Sequence, residues 1–171
     1  MDIARTIGRL RANGRILEAL VNDVDSAESR WRPADGQWSV LEVVNHLADE
    51  EVRDFRTRVD YTLHRPSEAW PPIDPVGWVT EERYNDRDLT ASTRHFIVER
   101  AVSVEYLQGL RAAAWANAHE HPTLGPMTAA DVLAAWVMHD HIHIRQINRV
   151  RAEYVRTVLA AERRTDYAGR W

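Results

Sequence analysis

Residues 128–150 read TAADVLAAWVMHDHIHIRQINRV, one amphipathic helical stretch with three histidines in five positions. An α-helix advances about 100° per residue, so His139 and His143, four apart, share a face. His141 points to nearly the opposite side. Val132, Ala135, Trp136 and Gln146 fall on the His139/His143 face, the stripe expected to turn inward. Two imidazoles at i and i+4 on an inward face suit a metal ion. They equally suit buried histidines that are only hydrogen-bonded. Thr128-x-x-Asp131 is a helix cap opening this stretch, and no strong breaker follows before Gly169, so the helix is expected to run to about residue 159.

Working back toward the N-terminus, residues 119–127 hold Pro122, Gly125 and Pro126 and read as a break. His119 and His121 lie in it and read as exposed loop residues. Residues 90–118 restore helical spacing at Phe96, Ile97, Val104, Leu107, Leu110 and Trp115. Residues 65–89 carry Pro66, Pro71, Pro72, Pro75 and Gly77 without clear periodicity. A connection of that length inside a domain is a crossover or a functional loop. Trp70, Trp78 and Tyr84 are expected to pin it to the body.

Ser39-x-x-Glu42 is a capping box, so a second helix is expected from Ser39 to His64, ahead of Pro66. Val40, Val43, Val44, Leu47 and Val59 mark its inward stripe. His46 lies close to that stripe, with Glu42 and Glu50 one turn to either side. Residues 25–38 contain Pro33 and Asp35-Gly36, which is turn chemistry. Residues 2–24 space Ile3, Ile7, Leu10, Ile16, Leu17, Leu20 and Val24 by threes and fours, a further amphipathic helix. No strand pattern is visible. The polar tail is expected to fray, with Trp171 folded back on the body.

The expected fold is therefore all-α, four long helices in one domain spanning residues 1–171. The 171 residues are 44% apolar and 28% charged, an ordinary globular balance. A net charge of −4 gives no nucleic-acid footprint. No apolar run approaches the ~20 residues of a membrane span. The N-terminus lacks a secretory signal, which gives the cytoplasm as the expected location. There is no cysteine. Disulfides, a cysteine nucleophile and thiolate ligands are thereby excluded, and any thiol chemistry needs a thiol cosubstrate. An apolar outer stripe on the first helix would suit a homodimer.

Facing helices of a bundle lie about 8–10 Å apart, a span that two imidazoles bridge through one ion. His46, His139 and His143 then form a three-histidine site with open positions, the catalytic rather than the closed structural type. Glu50, Glu42 and Gln146 are candidates to orient a ligand or a water beside it. The pattern His139-Asp140-x-x-His143 falls short of the zincin motif, since Asp is one methylene shorter than Glu and no third ligand follows. Paired Glu-x-x-His motifs, a phosphate loop and a nucleophile elbow are all missing.

The strings GQWSVLEVVNHLADEE (36–51) and GPMTAADVLAAWVMHDHIHIRQI (125–147), separated by the proline- and tryptophan-rich crossover, resemble the DinB-like superfamily. The resemblance implies a four-helix bundle with up-down-down-up topology, its long crossover joining helices 2 and 3. It also implies a metal triad at His46, His139 and His143. Relatives of this kind are thiol-dependent transferases and isomerases using bacillithiol, mycothiol or glutathione, or metal-dependent hydrolases. The expected function is thus a metal-dependent S-transferase or hydrolase. It would hold a divalent ion (Zn, Ni or Fe) and act on a small electrophile. The alternatives are a non-catalytic metal- or ligand-binding bundle of a stress response, and a bundle whose histidines are purely structural. The family's name gives no ground for DNA binding in an acidic chain.

Overall fold

A computed structural model describes residues 1–110 and 113–169. Four long helical segments carry it. The first is α1 (Ile3–Val21), capped by Asp2, whose carboxylate accepts from Arg5 N. The second is a composite: α3 (Val40–Asp49), a π-helical stretch at Glu50–Arg56, and α4 (Thr57–His64). The third is α6 (Leu89–Gly109), and the fourth is α7 (Ala129–Tyr154), continued by a π-helical turn at Val155–Leu159. The connections hold two short helices, α2 (Ser26–Arg30) and α5 (Pro75–Glu81), capped by Asp25 and Asp74. Among the described residues, no helix is long and apolar enough to cross a membrane.

Pairs of touching residues give the helix directions. Asn13 bonds Asp140, and Leu20 bonds Arg151, so α1 and α7 run parallel. Glu51 meets Arg100, and Asp60 meets Tyr106, so the composite helix and α6 also run parallel. His46 meets His143 and Phe55 meets Trp136, so the composite helix opposes α7. The topology is up-down-down-up, with the 65–88 segment making the long crossover.

Three expectations change. Residues 118–128 form an antiparallel hairpin, β1 (Ala118–His121) with β2 (Gly125–Thr128), pairing His121 with Gly125. Gly125 adopts φ +74°, the left-handed conformation that glycine takes without strain. Strands of four residues, one holding a proline, are too short to show alternation in sequence. Second, α6 stops at Gly109, and the following turn docks on α7 through Ala130 N to Trp115 O. Third, His119 is buried and stacks on Trp70 with ring centroids 4.5 Å apart, rather than lying exposed. Trp78 and Tyr84 are buried, as expected of anchors for the crossover. The expectation for Trp171 falls outside the described residues.

The core is split along the bundle axis. One apolar cluster holds Ile7, Leu10, Val59, Leu107, Leu133 and Trp136. The other holds Leu17, Val43, Leu47, Phe96, Ile147 and Val150. Between them every long helix contributes buried polar groups: Asn13; His46, Glu50, Glu51 and Asp54; Arg100 and Ser103; Asp140 and His143.

Candidate metal centre

Two caps set the phase of the helices that carry the histidines. Ser39 Oγ accepts from Glu42 N at 3.1 Å, and Ser39 N donates to Glu42 Oε2 at 2.8 Å. Thr128 and Asp131 make the same reciprocal pair at the start of α7. Apolar spacing then turns one face of each helix inward. The inward arc of α7 centres on Trp136, Asp140, His143 and Ile147. Ala135, expected inside, is exposed, and His139 sits half-buried at the solvent edge.

The imidazoles of His46, His139 and His143 converge, with one ring nitrogen from each lying within 4.8 Å of the others. Nε2 of His139 is 3.3 Å from Nε2 of His46 and 3.1 Å from Nε2 of His143. Trp38 packs on His46 and Phe55 on His139, at centroid distances of 4.9 and 5.0 Å. Gln146 Oε1 lies 2.7 Å from His143 Nδ1. An amide oxygen only accepts, so His143 carries its proton on Nδ1 and directs a lone pair from Nε2 into the cluster. Burial, with the neighbouring imidazoles His143 and His139, pushes His46 down to about 2. Burial first, then His143 and Arg100, pushes His139 to about 3. Burial lowers His143 against the opposing pull of Gln146. All three rings are neutral at pH 7, the protonation state in which histidine ligates.

The rings do not satisfy one another. His139 Nε2 faces two nitrogens and has at most one proton to give. One divalent cation accepting all three lone pairs resolves that conflict, so the donor set fits a metal.

The sequence profile of the DinB superfamily matches residues 9–147. The chain belongs to the DinB superfamily. Its fold matches that of YfiT from Bacillus subtilis, with a TM-score of 0.78 and 23% identity over 88% of this chain and 86% of that one. YfiT is described as a probable metal-dependent hydrolase with an unusual four-helix bundle topology. No curated protein matches the chain significantly.

In this DinB bundle the other candidates separate. Gln146 touches the triad through His143. Glu42 does not, being used by the Ser39 cap and by Arg32, whose Nε donates at 3.0 Å. Glu50 is 4% exposed, and its Oε1 has no hydrogen-bond partner. It lies outside the convergent nitrogen group, beside Asp54. Burial and then the Asp54 carboxylate push its pKa up to about 9, so at neutral pH it is a neutral acid, not a base. Asp140, in the zincin-like position, turns away from the triad to Arg100 and Asn13. His141 is exposed.

Proposed function

We propose that the chain is a metal-dependent enzyme whose His46, His139 and His143 hold a divalent transition ion, and that it acts on a small electrophile with a thiol or a water as nucleophile. The convergence of three neutral imidazole nitrogens, one with its tautomer fixed by Gln146, carries this reading. A divalent ion bound there supplies Lewis acidity, lowering the pKa of a coordinated thiol or water. The chain's own residues do the rest. Trp38 packs at a tilt against the His46 ring and Phe55 against the His139 ring, which restricts their rotation. His139, at the solvent edge, leaves a side from which a substrate reaches the triad. Glu50, one helical turn beyond His46, holds a proton at neutral pH in the metal-free chain and is the candidate acid for a leaving group. A thiol must come from a cosubstrate such as bacillithiol, mycothiol or glutathione, because the chain has no cysteine. The description of YfiT supports the hydrolytic branch, in which water is the nucleophile. Zn, Ni and Fe all suit three imidazoles.

Protein purified without chelator or metal-affinity resin should contain near-stoichiometric metal by mass spectrometry, lost in His46→Ala and His139→Ala. Turnover of an electrophile panel is then compared with and without each thiol. Absence of metal that no added Zn, Ni, Mn or Fe restores would sink the proposal. A second reading is a non-catalytic metal-binding bundle. It is favoured by one observation: Asp140, the carboxylate next to His139 in the chain, is engaged by Arg100 and Asn13 and does not face the triad as a base. Loaded protein with no turnover on any electrophile supports it.

A further inference from the structure

Arg100 joins all four long helices at the level of the histidines. Its Nη1 donates to Leu10 O and to Asp140 Oδ2, both at 2.8 Å. Its Nη2 donates to Asp140 Oδ1 at 2.7 Å and to Glu51 Oε1 at 2.6 Å, and Nε donates to the same Glu51 oxygen at 2.9 Å. Asn13 Nδ2 donates to Asp140 Oδ2 at 3.1 Å, and Trp136 Nε1 to Glu51 Oε1 at 2.9 Å. Both acids are fully buried, and Arg100 is 4% exposed. Gly14 makes room for it: a Cβ there would stand 3.1 Å from Arg100 Cγ.

Two paths lead from this cluster to the triad. Asp140 is bonded directly to His139 in the chain. Glu51 holds Trp136, which stacks on Phe55 at 5.4 Å, and Phe55 packs on His139 at 5.0 Å. Apolar side chains of similar volume would hold four helices together at least as well as a buried ion cluster does. What a planar guanidinium fork adds is direction, since its donors are rigidly placed. Direction matters here. A rotation of α7 by about 20° moves a group about 5–6 Å from its axis by about 2 Å, ten times the ~0.2 Å tolerance of a ligand distance.

We infer that Arg100, Glu51 and Asp140 are positioning residues that fix the rotation and height of α7 so that His139 and His143 meet His46. The link to metal rests on the function proposed above; the link to ring geometry does not. The test uses the full chain with Arg100→Met, Glu51→Gln and Asp140→Asn combined, which removes all three charges while keeping acceptors for Trp136 and Asn13. Gly14→Ala, which alters no charge and presses on Arg100, is the second variant.

Each variant is compared with wild type by competition for Co(II) and Zn, by the Co(II) absorption spectrum, and by long-range 1H–15N spectra of the metal-free imidazoles. Expected for the triple variant is a cooperative helical fold with Co(II) and Zn bound about 10–100-fold more weakly, an altered Co(II) spectrum and shifted His139 and His143 resonances. Gly14→Ala should move the same readouts in the same direction by less. Folded variants with wild-type affinity, spectrum and imidazole shifts would overturn the inference and leave the cluster a purely structural tie. If the triple variant fails to fold, Gly14→Ala alone decides. If wild type binds neither ion, the proposed function fails, and the imidazole shifts still decide the positioning claim.

Discussion

Arg100→Met alone should be far more damaging than the neutralised triple variant. The single change leaves Glu51 and Asp140, both with 0% side-chain exposure, without their counter-ion. Removing one partner of a buried ion pair costs about 3–5 kcal/mol. Domains are stable by only about 5–15 kcal/mol, so about a fifth or more of the total is at stake. At about 2–4 °C per kcal/mol for a chain of this size, Tm should fall by about 6–20 °C. The loss should also depend on pH. Burial already raises the Glu51 pKa against the opposing attraction of Arg100. Without the guanidinium the folded-state pKa rises further above its unfolded value. The folded variant then takes up protons more readily than the unfolded chain, and stability is regained as pH falls. Urea unfolding of both proteins at pH 5 and pH 8 gives the two differences directly. A deficit below about 1 kcal/mol, or one equal at both pH values, would mean that water reaches these carboxylates and that the buried-cluster argument is wrong.

Gln146→Leu removes the acceptor that holds the His143 proton on Nδ1; Zn affinity should drop about 10–100-fold by chelator competition, and an unchanged affinity would show that something else sets the tautomer. Glu50, whose folded pKa is raised from 4.5 to about 9, contributes stability that is complete below pH 4.5 and lost as pH rises toward 9. Glu50→Gln should therefore flatten the stability profile of the metal-free protein between pH 6 and 9, and an unaltered slope would refute the protonated-acid assignment. His46, depressed from 6.5 to about 2, has the opposite sign: its contribution is complete above pH 6.5 and lost as pH falls. His46→Leu should make metal-free protein less acid-labile between pH 6 and 4, measured by urea midpoints; equal midpoint shifts in both proteins would count against a buried neutral ring.

The helices and the triad were legible because two independent signals agreed on phase. The Ser39 and Thr128 capping boxes fixed where helices start, and the apolar stripes fixed which way His46, His139 and His143 face. The polar layer was harder. Arg100 stands four residues after Phe96 and four before Val104, squarely on the inward stripe of α6, and Asp140 stands four after Trp136. Each is a charge on an apolar face, a signal that sequence periodicity displays, but pairing Arg100 with Glu51 and Asp140 needs the distances between helices. The inward side of α7 centres on Trp136, Asp140, His143 and Ile147, rotated from the His139/His143 face far enough to leave Ala135 outside. The hairpin around Gly125 and the stack of His119 on Trp70 depend on a non-local docking of crossover against hairpin. No local pattern in four-residue strands announces it.

The π-helical turn at Glu50–Arg56 works as a phase shifter. Its wider winding lets His46, above it, and Val59 and Leu63, below it, point into the same bundle. Ordinary winding of the same seven residues would turn everything beyond them by about 100°, swinging the lower stripe toward solvent while the upper one stays in place. Length and winding in this segment are consequently constrained together. The spacing between His46 and Val59 carries one residue more than an unbroken α-helix would need, and the wide turn is what absorbs it.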